Sequence, residues 1–208
     1  MTPIESIVSD MNWRLGELAS LKSIPFRYHM QQSHIWQLKK HLVPAIYALW
    51  EGFVVNSFEV YIKQINSRQI RIEDIDVNIL LYMTEANEKL CLSTPRFKRE
   101  SKLNFVENIK TVFGTPVHIP PKVVTKSNVN YEVANNLLTC FNMRILPACY
   151  KHKLDKLLKF RNMIAHGDRA ITVKDEDISV FSQLVNDLMA EITERVEEAI
   201  EGEQYLKS

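Results

Sequence analysis

Glycine is scarce in this chain, with five residues in 208. That scarcity argues against a turn-rich β architecture and against a glycine-loop nucleotide site. Cysteine is scarcer still. Cys91, Cys140 and Cys149 are odd in number and share no metal-ligand spacing. They fit reduced thiols, to which no function is assigned. A membrane-spanning run is also missing: the most apolar stretch, Leu42 to Val55, is interrupted by Pro44 and Glu51 and reads as a buried helix. The start, Met1-Thr2-Pro3-Ile4-Glu5, has no basic stretch leading into an apolar run, so neither a signal peptide nor a membrane partner is expected, and a cytoplasmic location is. What is present is ordinary for a soluble globular protein: 46% hydrophobic and 25% charged residues. The length suits one domain over residues 1–208 with a sizeable core.

The net charge of +1 conceals an asymmetry. Residues 95–169 hold fourteen Lys and Arg against five Asp and Glu, whereas residues 175–203 hold ten acids against Arg195 alone. One reading is two solvated helix faces. The sharper one is a basic middle that meets a polyanion, because cations placed near phosphates release counterions. Charge alone does not choose between them.

Helical periodicity dominates. Thr2-Pro3-Ile4-Glu5 combines a capping box with proline at the first helical position, predicting a helix to about Leu21 that Pro25 breaks. A second helical region is expected from about Tyr28 to Ile65, with Pro44 kinking or dividing it. Ile46, Leu49, Trp50, Phe53, Val54, Ser57 and Tyr61 form its core stripe. Further helices are expected over about 74–90, 101–113, 131–142 and 151–166, the last ending at Gly167. Residues 114–130, with Pro116, Pro120 and Pro121, form the longest loop, which leaves room for short strand-like pieces at Val117–Ile119 or Lys122–Thr125. The final helix, about 175–200, carries the stripe Ile178, Phe181, Val185, Leu188, Ile192, Val196 and Ile200, and opens on Asp175, Glu176 and Asp177. The fold class is therefore all-α, a single-domain helical bundle.

On a helical wheel, Leu154, Leu157, Leu158, Arg161, Ile164 and Ala165 share one face. Arg161 thus interrupts an apolar stripe, the least expected placement of any charge in the chain. A guanidinium there needs an anion, a dense set of acceptors or a wet cleft. His166 lies about 140° further round and is spaced i, i+4 from Asn162. A histidine at the end of a helix can accept or give a proton, Asn162 can orient it or a substrate oxygen, and Arg161 can stabilise charge on a phosphate. The plainer alternative is that Arg161 pairs with a buried acid such as Glu51, while His166 and Gly167 merely end the helix.

Arg161-Asn162-Met163-Ile164-Ala165-His166, followed by Gly167, resembles the R-x4-6-H signature of HEPN domains. Leu49-Trp50-Glu51-Gly52-Phe53 with Tyr61-Ile62 resembles the aromatic-acidic core helix of a bacterial subfamily of HEPN-like nucleases. Lys126-Ser127-Asn128-Val129-Asn130-Tyr131 resembles the segment before their penultimate helices. The matches fall in order over roughly residues 40–200. The resemblance implies a helical bundle that dimerises with the signature helices facing each other, making one composite cleft. It also implies a metal-independent endoribonuclease, needing no cofactor, that uses the ribose 2′-hydroxyl and leaves a cyclic phosphate end. Such proteins are often toxins or phage-defence effectors, and an antitoxin or other defence-system protein is a possible partner. On this view His166 is the general acid or base, Arg161 holds the phosphate of an RNA substrate, and Asn162 positions one of them.

The remaining candidates are weaker. Glu51 is either a core carboxylate paired with a base or a neighbour of Arg161. Ser127 and Asn128 suit helix capping better than lining a cleft, and Lys126 is drawn in by the same segment. Pro95-Arg96-Phe97-Lys98-Arg99 interleaves cations with an aromatic, as a single-strand RNA contact does, although solvated turns look the same. His29, His34, His41, His118 and His152 form no recognisable ligand set and read mostly as surface residues. Two rivals to the nuclease stand: a catalytically inactive HEPN module that binds nucleic acid or protein, and a helical scaffold or antitoxin-like subunit whose acidic final helix docks a basic partner.

Overall fold

The computed structural model describes residues 1–86, 115–123, 128–168 and 170–207. Among them are six α-helices: α1 (Pro3–Arg27), α2 (Gln32–Ser67), α3 (Val77–Ala86), α4 (Tyr131–Cys140), α5 (Lys151–Ala165) and α6 (Asp175–Glu201). Short 3-10 turns at Ile72–Asp74 and Ala148–Tyr150 lie before α3 and α5. The expected helix over 101–113, the end of the one over 74–90, Cys91 and the Pro95–Arg99 stretch lie outside the described residues.

The start of α1 is built as its sequence requires. Thr2 Oγ1 accepts from the Glu5 amide, the Glu5 carboxylate accepts from the Thr2 amide, and Pro3 has no N–H to satisfy. Two proline expectations need correction. Pro25 does not stop α1 but sits in its last turn, where little helix remains to be disrupted. The helix ends two residues on, at Arg27, with His29 at φ 45° and the Met30 amide donating to the Pro25 carbonyl. Pro44 does not divide α2, which runs unbroken through thirty-six residues. Its ring nitrogen cannot donate to the Lys40 carbonyl, so the helix lacks one internal bond at that point.

α2 is the central element, packed against α1, α5 and α6, and α6 also touches α1 and α5. The expected α2 stripe is buried in full, joined by Leu42, Val43, Tyr47, Phe58, Ile62 and Ile65. That wider face is what a helix covered from three sides needs. The α6 stripe is buried from Ile178 to Val196, with Ile200 only partly covered. Phe141, just past α4, gathers the rings of Phe58, Tyr61 and Tyr82 at centroid distances of 5.5, 5.6 and 4.8 Å.

No strand occurs among the described residues, apart from an isolated bridge between Ile75 and Leu206. Residues 117–119 do alternate as a strand would, with Val117 and Ile119 buried and His118 exposed. Their partners differ, however. The Val117 amide donates to the Ile70 carbonyl, and the Asn66 side chain takes both the amide and the carbonyl of Ile119, at 2.9 and 2.8 Å. A side-chain amide thereby replaces a neighbouring strand.

Candidate functional site

Arg161 emerges from the inner side of α5, where Leu154 and Leu157 are fully buried and Leu158 and Ile164 partly so. Ala165, expected on that face, is exposed because the helix is already leaving the core. Arg161 itself is half-buried and lies over the ring of Tyr47 from α2, 5.1 Å from guanidinium carbon to centroid. Its Nη1 donates to Asn162 Oδ1 at 2.9 Å and to Asn128 Oδ1 at 3.3 Å. Among the described residues, no carboxylate forms an ion pair with it.

The segment that brings Asn128 here is held by α2. Val129 is fully buried, so both of its main-chain polar groups require partners. Its amide donates to Tyr47 Oη at 2.7 Å, and its carbonyl accepts from Trp50 Nε1 at 2.9 Å. Asn128 is therefore not the helix cap. That role falls to Asn130, whose Oδ1 accepts from the Val133 amide and starts α4. Lys126 and Ser127 lie outside the described residues.

Glu51 stands one turn along α2 from Tyr47 and is half-buried. Burial raises its carboxyl above the usual carboxylate range, while the Arg161 charge and the Val129 amide pull it back. The Tyr47 phenol is pushed up to about 12, first by burial and then by the Glu51 charge. It therefore stays protonated beneath Arg161. The adjacent Gly52 has a steric purpose: a Cβ there would lie 2.6 Å from Nη1 of Arg14, which donates to the Leu49 carbonyl and ties α1 to α2.

His166 caps α5, and its amide donates to the Asn162 carbonyl at 2.9 Å. Gly167 follows at φ 75°, donating to Ile164, and the Asp168 amide reaches back to Met163. This double closure is a Schellman turn, which needs a residue at ease in the left-handed region. The His166 imidazole is exposed and makes no hydrogen bond to the described residues. The chain thus gathers Arg161, Asn162, Asn128, Tyr47 and Glu51 around one spot and leaves His166 in solvent at the end of the same helix. Asn162 orients Arg161 rather than the imidazole.

Sequence reasoning overlooked Tyr47. The usable signal was a phenol on an apolar helix face, which must find a polar partner. It overlooked Arg195 as well, the more deeply buried arginine at 2% exposure. The Arg195 guanidinium serves the carbonyls of Arg144, Ile145 and Glu191 and the Glu191 carboxylate. An arginine within an apolar stripe is therefore not by itself a mark of chemistry in this protein. What distinguishes Arg161 is that its hydrogen-bond partners among the described residues are neutral.

Cys140 and Cys149 are free thiols. His29, His34, His41, His118 and His152 are all exposed. Among the described residues, no group of three or more His, Cys, Asp and Glu side chains is placed to hold a metal ion, and no helix is long and apolar enough to cross a membrane.

The model of the MAE_28990-like HEPN family matches residues 4–205. The chain belongs to that HEPN family. The match takes in α1, ahead of the residues that carried the resemblance, and runs past the end of α6. No curated protein and no solved structure gives a significant match. HEPN membership points to a nuclease or an RNA-binding module.

Proposed function

We propose that this HEPN chain is an endoribonuclease, acting as one helical domain and assembled as a homodimer in which two copies of α5 form a composite cleft. The observation that carries this reading is the state of Arg161: a half-exposed cation stacked on Tyr47 and held by two asparagine oxygens, with no ion pair to a carboxylate among the described residues. A scissile phosphate suits that guanidinium in charge and in the planar fork of N–H donors it presents. The ribose 2′-oxygen bonds to phosphorus, the bond from phosphorus to the 5′-oxygen breaks, and a 2′,3′-cyclic phosphate remains. The proton lost at O2′ and the one gained at O5′ pass through His166 as general base or acid. Arg161 stabilises the charge that builds on the non-bridging oxygens. Asn162 and Asn128 position Arg161. Glu51 adds a nearby negative charge that limits how tightly an anion is held at rest. A toxin or phage-defence role, with a cognate antitoxin, is the biological setting this chemistry suits.

The test is cleavage of total RNA by purified protein in the presence of chelator. Wild type is expected to cut and to leave cyclic phosphate ends. Arg161→Ala and His166→Ala should each reduce the rate at least about a hundredfold without changing the circular dichroism spectrum. Intact RNA after incubation with wild type at high concentration refutes the nuclease. One observation favours the second reading, a non-catalytic RNA-binding HEPN module: among the described residues, the His166 imidazole has no hydrogen-bond partner to orient it. RNA that is bound but not cut would select that alternative.

A further inference from the structure

Past Leu18 on α1 and before Leu42 on α2, no residue is buried. The end of the α1–α2 hairpin is thus an arm without a core of its own. Its composition is unusual. From Leu18 to Trp50 there is no Asp or Glu, in a chain with 25 of them, while Lys22, Arg27, Lys39 and Lys40 are positive. Three aromatic side chains are left open to solvent on this arm: Phe26 at 80%, Tyr28 at 74% and Trp36 at 38%. An arm that exposes rings and cations together, with no acid among them, has the surface of a single-strand nucleic-acid binder.

The base of the arm adjoins the proposed site. Lys40 Nζ lies 4.8 Å from the centre of the Trp36 ring and donates to the Asp168 carbonyl at 3.3 Å, two residues beyond His166. Lys39 pairs with Asp175 at the start of α6 at 2.7 Å. Trp36 is therefore fixed beside the turn that carries His166, through a lysine shared by both. The geometry points to the arm as the platform for single-stranded RNA next to the scissile nucleotide, with a base stacked on Trp36, further bases on Phe26 and Tyr28, and backbone phosphates met by Lys22 and Arg27. This rests on the ribonuclease reading and adds which part of the surface holds the substrate strand. Stacking accepts any base, so the arm is expected to favour unpaired RNA with little sequence preference.

The experiment reads binding apart from cleavage. Full-length His166→Ala protein is titrated against a short fluorescein-labelled single-stranded RNA of mixed sequence, and anisotropy gives the dissociation constant. Trp36→Ala in that background should weaken binding roughly tenfold or more, and Trp36→Phe should restore most of it. Replacing Lys22 and Arg27 by Gln should reduce the slope of log affinity against log salt by about 0.7 per cation removed. These positions are exposed, so unchanged melting temperatures are expected. Equal affinity in all variants overturns the platform, while cleavage by wild type would leave the nuclease reading standing. Absence of both cleavage and binding removes the two together. A dimer that becomes monomeric on substitution of Phe26, Tyr28 and Trp36, with RNA affinity unchanged, identifies the arm as a contact between copies and overturns the RNA assignment.

Discussion

Burial and a neighbouring cation pull on Glu51 in opposite directions, and burial prevails. An unfolded chain keeps the ordinary carboxyl value, so it sheds its proton first as pH rises. Between the unfolded and the raised folded value, the unfolded state holds fewer protons and stability falls with increasing pH. Glu51→Gln removes that titration. Its melting temperature should gain on wild type as pH climbs from below the carboxylate range to neutrality, read from thermal melts across a pH series. A difference that stays constant over the series, or shrinks, would contradict the role given to burial. At this scale the sequence was informative about Arg161, because a guanidinium on an apolar stripe can be seen on a wheel. The hold on Val129 by Tyr47 and Trp50 was not legible, since a side chain bonded to a distant main chain leaves no local pattern.

The last turn of α5 shows what a helix ending costs to alter. Gly167 sits at φ 75°, and a Cβ there meets no atom within 4 Å, so the penalty of substitution is conformational rather than steric. Gly167→Ala should destabilise by about 1 kcal/mol, the typical cost of placing an L residue in the left-handed region. Because the turn fixes the backbone that carries His166, RNA cleavage should fall by more than the unfolded fraction explains. Urea denaturation and initial cleavage rates on the same sample check both parts. Unchanged stability would mean that the Schellman closure contributes nothing. This ending was readable from His166-Gly167, as were the stripes of α2 and α6, because capping and period are local properties. The passage of α1 through Pro25 and of α2 through Pro44 was not: Pro25 falls in a last turn where little helix remains, and buried Leu42, Val43, Ile46 and Tyr47 pack α2 on both sides of Pro44.

For the whole molecule, the two stripe arginines are expected to behave in opposite ways. Arg195 binds α6 to the 144–145 segment through carbonyls that have been drawn away from water. Arg195→Ala leaves these groups and Glu191 unmatched and should cost roughly 3 kcal/mol or more. Arg161→Ala removes a half-exposed group with neutral partners and should cost under about 1 kcal/mol while stopping cleavage. Urea midpoints for the two variants settle which arginine belongs to the fold, and a larger loss for Arg161 would reverse the assignment. The sequence separated them only in part: Glu191 stands one turn before Arg195, where Leu157 stands before Arg161, but the Arg144 and Ile145 carbonyls come from a stretch some fifty residues away, and burial is a property of the assembled bundle. The proline in α2 has a mechanical consequence. The helix that carries Trp36 also carries Tyr47 and Glu51, and Pro44 leaves the Lys40 carbonyl without its helical donor between them. The rod therefore has one backbone bond fewer just where the arm joins the core. Lys39 on Asp175 and Lys40 on Asp168 brace it on the far side of that joint, like two struts set beside a hinge. A load applied at the tip is met first by these struts, and whatever they do not absorb travels down the same helix to the ring beneath Arg161.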